Sequence, residues 1–146
     1  MNALQIDYIE IFVPDRYEAA RWYGRVLGLE IVPEFEGWAA DPRGPLMISS
    51  DGGSTKVALF QGPPRDGSAH GGLHLLAFRT TADGFLDFLN RLAELRLRDH
   101  HDTVVTPGSI VDHDLAYAIY FCDGYGNRLE LTTYEHREIR AARDPR

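Results

Sequence analysis

One cysteine, one lysine and no apolar run long enough to span a bilayer set the first limits on this chain. A lone Cys122 excludes an intramolecular disulfide framework, so the core must hold the fold. With no apolar stretch near 18 residues and no secretory leader at Met1-Asn2-Ala3, a soluble, cytoplasmic protein is expected. Lys56 is the sole lysine, so the cationic side chains are otherwise arginine. The net charge of −7 argues against nucleic acid or an anionic membrane as partner, because both attract cationic surfaces. The locally basic end, Arg137 to Arg146, reads as a solvated tail.

What is present is a repeat. The chain has 146 residues, of which 44% are hydrophobic, enough for one compact domain. An alternating run from Ile6 to Val13 feeds a helix pattern beginning near Asp15, and Gly72 to Phe78, about 66 residues on, feeds another beginning near Thr81. Asp15 with Glu18 has capping-box spacing, Ala19, Trp22, Tyr23 and Val26 share a helical face, and Gly28 is a C-terminal stop. Phe85, Leu86, Leu89, Leu92 and Leu95 repeat that logic. Short strands are expected at Glu30–Phe35, Leu46–Ser49 and Thr55–Phe60 after the first helix. Thr103–Val105, Leu115–Phe121 and Arg128–Tyr134 follow the second. Asp41–Gly44, Asp51–Gly53 and Asp123–Asn127 are turns by composition, and Gln61–Gly72 is a linker. The reading is therefore an α+β chain with module one over about 5–62, module two over about 71–135 and a tail at 136–146, within a single domain. A pseudo-symmetric open cleft is the place where such a repeat would put its chemistry.

Strand alternation then sorts the side chains. Ile9, Ile11 and Val13 form the more apolar set and should pack under the helix, leaving Tyr8, Glu10 and Phe12 opposite. In the fifth strand Leu73, Leu75 and Ala77 are assigned to the helix, leaving His74, Leu76 and Phe78 opposite. In the last strand Leu129 and Leu131 point inward, leaving Arg128, Glu130, Thr132 and Tyr134 outward. Tyr8, Glu10, His74 and Glu130 thus fall on cleft faces.

Three segments carry a family resemblance: Val13-Pro14-Asp15 leading to Trp22-Tyr23 and Val26-Leu27-Gly28; Leu73-His74-Leu75; and Tyr120-Phe121-Cys122-Asp123-Gly124-Tyr125-Gly126-Asn127-Arg128-Leu129-Glu130-Leu131. Together they resemble the vicinal oxygen chelate superfamily, which includes glyoxalase I, fosfomycin-resistance thiol transferases, extradiol dioxygenases and bleomycin-binding proteins. The last segment is the most specific, with Gly124 and Tyr125 replacing the family's usual Pro and second Asp. The resemblance implies two βαβββ modules enclosing a cleft, usually in a homodimer.

It also implies a divalent metal, Zn, Fe, Mn or Ni, on ligands from the first and last strand of each module. Two positions match, His74 and Glu130. Tyr8 stands where a His is commonest, and Ala58 where glyoxalase I has a Glu. Tyr8, Glu10 and His113 are the candidates for a third ligand. The function implied is a small-molecule enzyme whose metal chelates vicinal oxygens of the substrate, with Tyr8, Glu10 and Tyr120 as catalytic or substrate-contacting residues. The alternative is a metal-free binding protein of the bleomycin-resistance kind. Its aromatic cleft would draw on Tyr8, Phe12, Phe60, Phe78, Tyr120 and Tyr134, with Trp38 as a lid or as packing.

Overall fold

Helix α1, Arg16–Leu27, starts and stops where its terminal residues dictate. The extended Asp15 accepts the Glu18 N–H at 2.9 Å, and Gly28, at φ 72°, returns its own N–H to the Gly24 carbonyl at 3.0 Å. A side chain at that φ would be strained, which is why glycine ends the helix. The computed structural model describes residues 1, 4–63 and 73–144, so most of the expected linker lies outside the described residues. The chain divides into two compact units, Met1–Ala69 and His70–Arg146.

In the first unit, β1 (Tyr8–Val13), β2 (Glu30–Ile31), β3 (Leu46–Ser49) and β4 (Lys56–Gln61) form one sheet in the order β1-β4-β3-β2. β1 runs parallel to β4 and the other pairs are antiparallel. Ile11 and Val13 are buried with Leu59, Leu46 and Ile48, and Ala19, Tyr23 and Val26 of α1 belong to the same core. The face assigned to β1 from its alternation therefore holds. The expected strand Glu30–Phe35 is cut to two residues, because Pro33 has no N–H for a ladder and fixes φ. Pro33–Ala40 instead form a 3-10 helix.

The second unit repeats the order. β5 (Leu76–Arg79), β6 (Val111–Asp112), β7 (Tyr117–Cys122) and β8 (Arg128–Thr133) pair as β5-β8-β7-β6, again with one parallel contact, β5 on β8. Helix α2, Ala82–Leu95, is capped twice: Thr81 Oγ1 accepts the Gly84 N–H at 3.1 Å, and the Glu135 carboxylate accepts that of Ala82. Phe85, Phe88, Leu89 and Leu92 are buried, with Phe88 5.4 Å from the Phe121 ring. Two βαβββ units in an α+β chain are the observed architecture. Among the described residues no helix is long and apolar enough to cross a membrane.

Three sequence expectations are corrected here. Leu76 is registered with Leu129 and Phe78 with Leu131, so they share the helix-facing side, while Ala77 lies beside Glu130 on the other. The face assignment of the fifth strand is thus inverted. That assignment rests on Leu73 and Leu75, which precede the strand, and His74 lies outside the ladder where alternation does not govern it. Thr103–Val105 contributes only a bridge between Val104 and Arg98, and the edge strand is β6 instead. Finally, His136–Arg143 is not a solvated tail but a helix, α3, whose Ile139 is fully buried.

Candidate functional site

Glu130 occupies the middle of β8, flanked by Ala77 on β5 and Tyr120 on β7. The alternate residues, Leu129, Leu131, Ile119 and Phe121, are buried in the helix-facing core. Glu130 and Tyr120 therefore emerge side by side on the opposite face, both half-buried. Ala77 adds no bulk on that side of the carboxylate.

Tyr120 has a second neighbour. His113 Nε2 lies 2.9 Å from the phenol oxygen, with the rings edge-on. A tight turn places this imidazole: Asp112 accepts the Asp114 N–H at 2.8 Å, Asp114 takes a left-handed φ of 66°, and the His113 N–H donates to the Ala116 carbonyl at 2.9 Å. Burial, with the charge of Glu130 adding to it, pushes the Tyr120 phenol above its ordinary range. The phenol thus stays protonated well into the alkaline range, a hydrogen-bond donor next to a carboxylate.

At the other end of β8 the charge changes sign. The Arg128 guanidinium lies 3.4 Å from His74 Nδ1. Local desolvation, followed by the charges of Arg128 and His101, lowers the His100 imidazole. Burial, followed by the charge of Asp123, raises the half-buried Cys122 thiol, so it is poorly suited to act as a nucleophile.

This arrangement bears on the metal. A ligating His normally donates its second ring N–H to a carboxylate or carbonyl, which frees the other nitrogen for the ion. Arg128 only donates, so a bond to Nδ1 leaves the proton of neutral His74 on Nε2, the nitrogen a metal would need. Among the described residues no three of His, Cys, Asp and Glu are grouped to hold an ion. The donor set in this arrangement does not fit a divalent metal.

On the first unit, Tyr8 and Glu10 are exposed on the side of β1 away from Ile11 and Val13. Ala58, registered with Glu10, is fully buried in an apolar cluster with Val32 and Met47, against which Phe35 and Phe60 pack. A carboxylate at Ala58 would be desolvated there without a partner. Trp38 is 53% exposed and stacks on Phe35 with ring centroids 4.8 Å apart. Lys56 is buried, held by Asp7 Oδ1 and the Gly53 carbonyl, each at 2.8 Å, and lies over the Phe35 ring.

The β7–β8 register thus brings Tyr120 and Glu130 together, while a side-chain contact from outside the ladder sets His74 against Arg128. Phe78 leaves the proposed aromatic set, because it faces the helix. The pairing of His113 with Tyr120 and the contact of Arg128 with His74 do not follow from the sequence pattern. The Asp112-His113-Asp114 turn was the available signal for the first.

The fold recurs widely. A glyoxalase family protein from Bacillus anthracis superposes with a TM-score of 0.64 at 18% identity, covering 92% of this chain and 98% of that one. The oxidase ChaP-H2 gives 0.62 at 21% identity, over 90% and 94%. The fosfomycin resistance protein FosX from Listeria monocytogenes gives 0.60 at 12%, over 95% and 98%. No curated protein sequence matches the chain. The family model of the glyoxalase/bleomycin resistance protein/dioxygenase superfamily matches residues 5–131, and the chain belongs to that superfamily.

Proposed function

We propose that this chain is a small-molecule enzyme of the glyoxalase/dioxygenase kind, acting on an oxygen-bearing substrate over the polar face of β7 and β8. The observation that carries the reading is the 2.9 Å contact of His113 with Tyr120 beside Glu130. When His113 donates from Nε2 to the phenol oxygen, the phenol's own proton is free for a substrate oxygen. With the bond reversed, the imidazole can take that proton away. Glu130 supplies a carboxylate acceptor from the neighbouring strand, so a proton can be removed at carbon or oxygen while charge on the substrate is stabilised. Tyr8 and Glu10 are candidate substrate contacts on the first unit's own face.

Superfamily members commonly use divalent metals, and His74 and Glu130 are the residues that would hold one by resemblance. Such an ion, when bound, supplies Lewis acidity to two neighbouring oxygens. With Arg128 against His74 no step of this proposal passes through it. Calorimetric titration with Mn²⁺ and Zn²⁺ checks the point. Weak uptake is expected, and tight one-to-one binding lost in the His74→Ala, Glu130→Ala double variant would restore the metal reading.

The functional test is turnover of a panel of α-hydroxycarbonyl, dicarbonyl and catechol compounds. Tyr120→Phe and Glu130→Gln are each expected to lower kcat by about 100-fold or more, as loss of a positioned acid–base group does. A second reading, a binding protein without turnover, is favoured by the exposed Trp38 stacked on Phe35. Quenching of tryptophan emission by planar compounds, with no turnover of any of them, would decide for it. We further propose a homodimer as the assembled form, as is frequent in the superfamily.

A further inference from the structure

Behind α2, a cavity of about 540 Å³ lies between the helix's last turn and the chain that returns beneath it. Its walls are largely apolar: Leu92 and Ala93 from the helix, then Val104, Val105 and Pro107. None of its lining residues belongs to the polar face of β7 and β8. The walls are fixed by hydrogen bonds. Asp99 Oδ1 accepts the N–H groups of His101 and Thr103 at 2.9 and 3.0 Å, closing a hairpin. The Val105 N–H reaches the Leu97 carbonyl at 2.9 Å, and Thr106 and Ser109 cap the following turn reciprocally. An apolar recess of this size lies within the range of small-ligand pockets.

Two arginines line the same recess. Arg98 is already tied to Asp102, through its carbonyl at 2.6 Å and its carboxylate at 3.6 Å. Arg96 is different: its guanidinium has no hydrogen-bond or ion-pair partner among the described residues. It also sits at the C-cap of α2 with φ 55° and ψ 42°, a left-handed conformation that favours glycine. The chain thus keeps a long planar cation where a bare backbone would be more comfortable, beside an apolar cavity. A guanidinium fork matches a carboxylate in two parallel hydrogen bonds.

We propose that this cavity is a second binding site, for a small amphipathic carboxylate whose apolar body fills the recess and whose head group meets Arg96. The proposal is independent of the reaction assigned to the Tyr120–Glu130 face. Octanoate is the probe, with octan-1-ol and octyltrimethylammonium as neutral and cationic controls, followed by amide shifts in nitrogen–proton correlation spectra. Octanoate is expected to saturate shifts at Ala93, Val104 and Val105, with the alcohol about tenfold weaker and the cation without effect. Arg96→Gly separates binding from folding. It should weaken octanoate about tenfold while raising the melting temperature, because glycine relaxes the C-cap. Ala93→Trp, on the exposed side of the helix, should block the recess and abolish binding with the fold retained. The proposal is overturned if octanoate produces no saturable shifts at these residues. It is equally overturned if the three probes bind alike, or if both variants bind as the wild type does.

Discussion

Tyr120 stands between a carboxylate on the neighbouring strand and an imidazole held by a turn. A carboxylate beside a phenol disfavours the phenolate, and an imidazole at 2.9 Å offers the proton a place to go. Burial and the Glu130 charge both raise the phenol's folded pKa above 10.0, the value expected for the unfolded chain. The associated stability is therefore fully present below pH 10 and is lost as pH rises through the folded value. Glu130→Gln removes one of the two causes, so the phenol should titrate at lower pH. Ultraviolet difference titration of each protein against its Tyr120→Phe counterpart measures this directly. An unchanged or higher midpoint would remove Glu130 from the account.

At the scale of elements, Arg16 ties the start of α1 to the chain between Ala39 and Gly44. From the start of α1 its guanidinium donates to the carbonyls of Ala39, Asp41 and Gly44, and it is 8% exposed. Its Nε has no hydrogen-bond partner among the described residues. These bonds pin the end of the 3-10 segment and the turn after it. Gly44 passes so close to the Trp38 carbonyl there that a Cβ would have no room. Arg16→Met should strip three carbonyls of a charged donor. At about 1.5–3 kcal/mol for a hydrogen bond to a charged group, a total loss of several kcal/mol is expected. Chemical denaturation reads that loss, and a shift in tryptophan emission should accompany it as the segment carrying Trp38 loosens. A loss below 1 kcal/mol would mean that water replaces Arg16 at little cost.

The same scale separates what was legible in the sequence from what was not. Asp15, Gly28 and Thr81 mark the helix ends because capping is a local contract between a side chain and N–H groups a few residues away. Alternation sets Ile9, Ile11 and Val13 on the helix-facing side because β1, at six residues, is long enough for it to register. β5 is only four residues, and an alternation anchored on Leu73 and Leu75 gave the wrong face. Of the candidate site, Tyr120 and Glu130 followed from an unbroken β7–β8 register. The contacts of His113 and Arg128 do not follow from it, because a turn brings the first to Tyr120 and a contact across 54 positions sets the second against His74.

For the whole molecule, a net charge of −7 on each copy weighs against the proposed homodimer. The sheet edge at β6 is a poor docking surface: it is two residues long and followed by the acidic turn Asp112–Asp114, a common device against edge pairing. Exposed apolar side chains offer a better one, with Leu115 at 73% and Tyr134 at 60% exposure. A dimer built on such contacts gains by burying apolar surface and loses by bringing two net negative charges together. The Debye length falls from about 30 Å at 0.01 M salt to about 10 Å at 0.1 M, so added salt removes the repulsion and leaves the apolar gain. Light scattering at micromolar concentration should therefore give twice the 16.4 kDa of the chain, and the dimer should tighten as salt rises. A dimer that weakens with salt would point instead to ion pairs across the interface. A 16.4 kDa species at every salt concentration would remove the homodimer altogether.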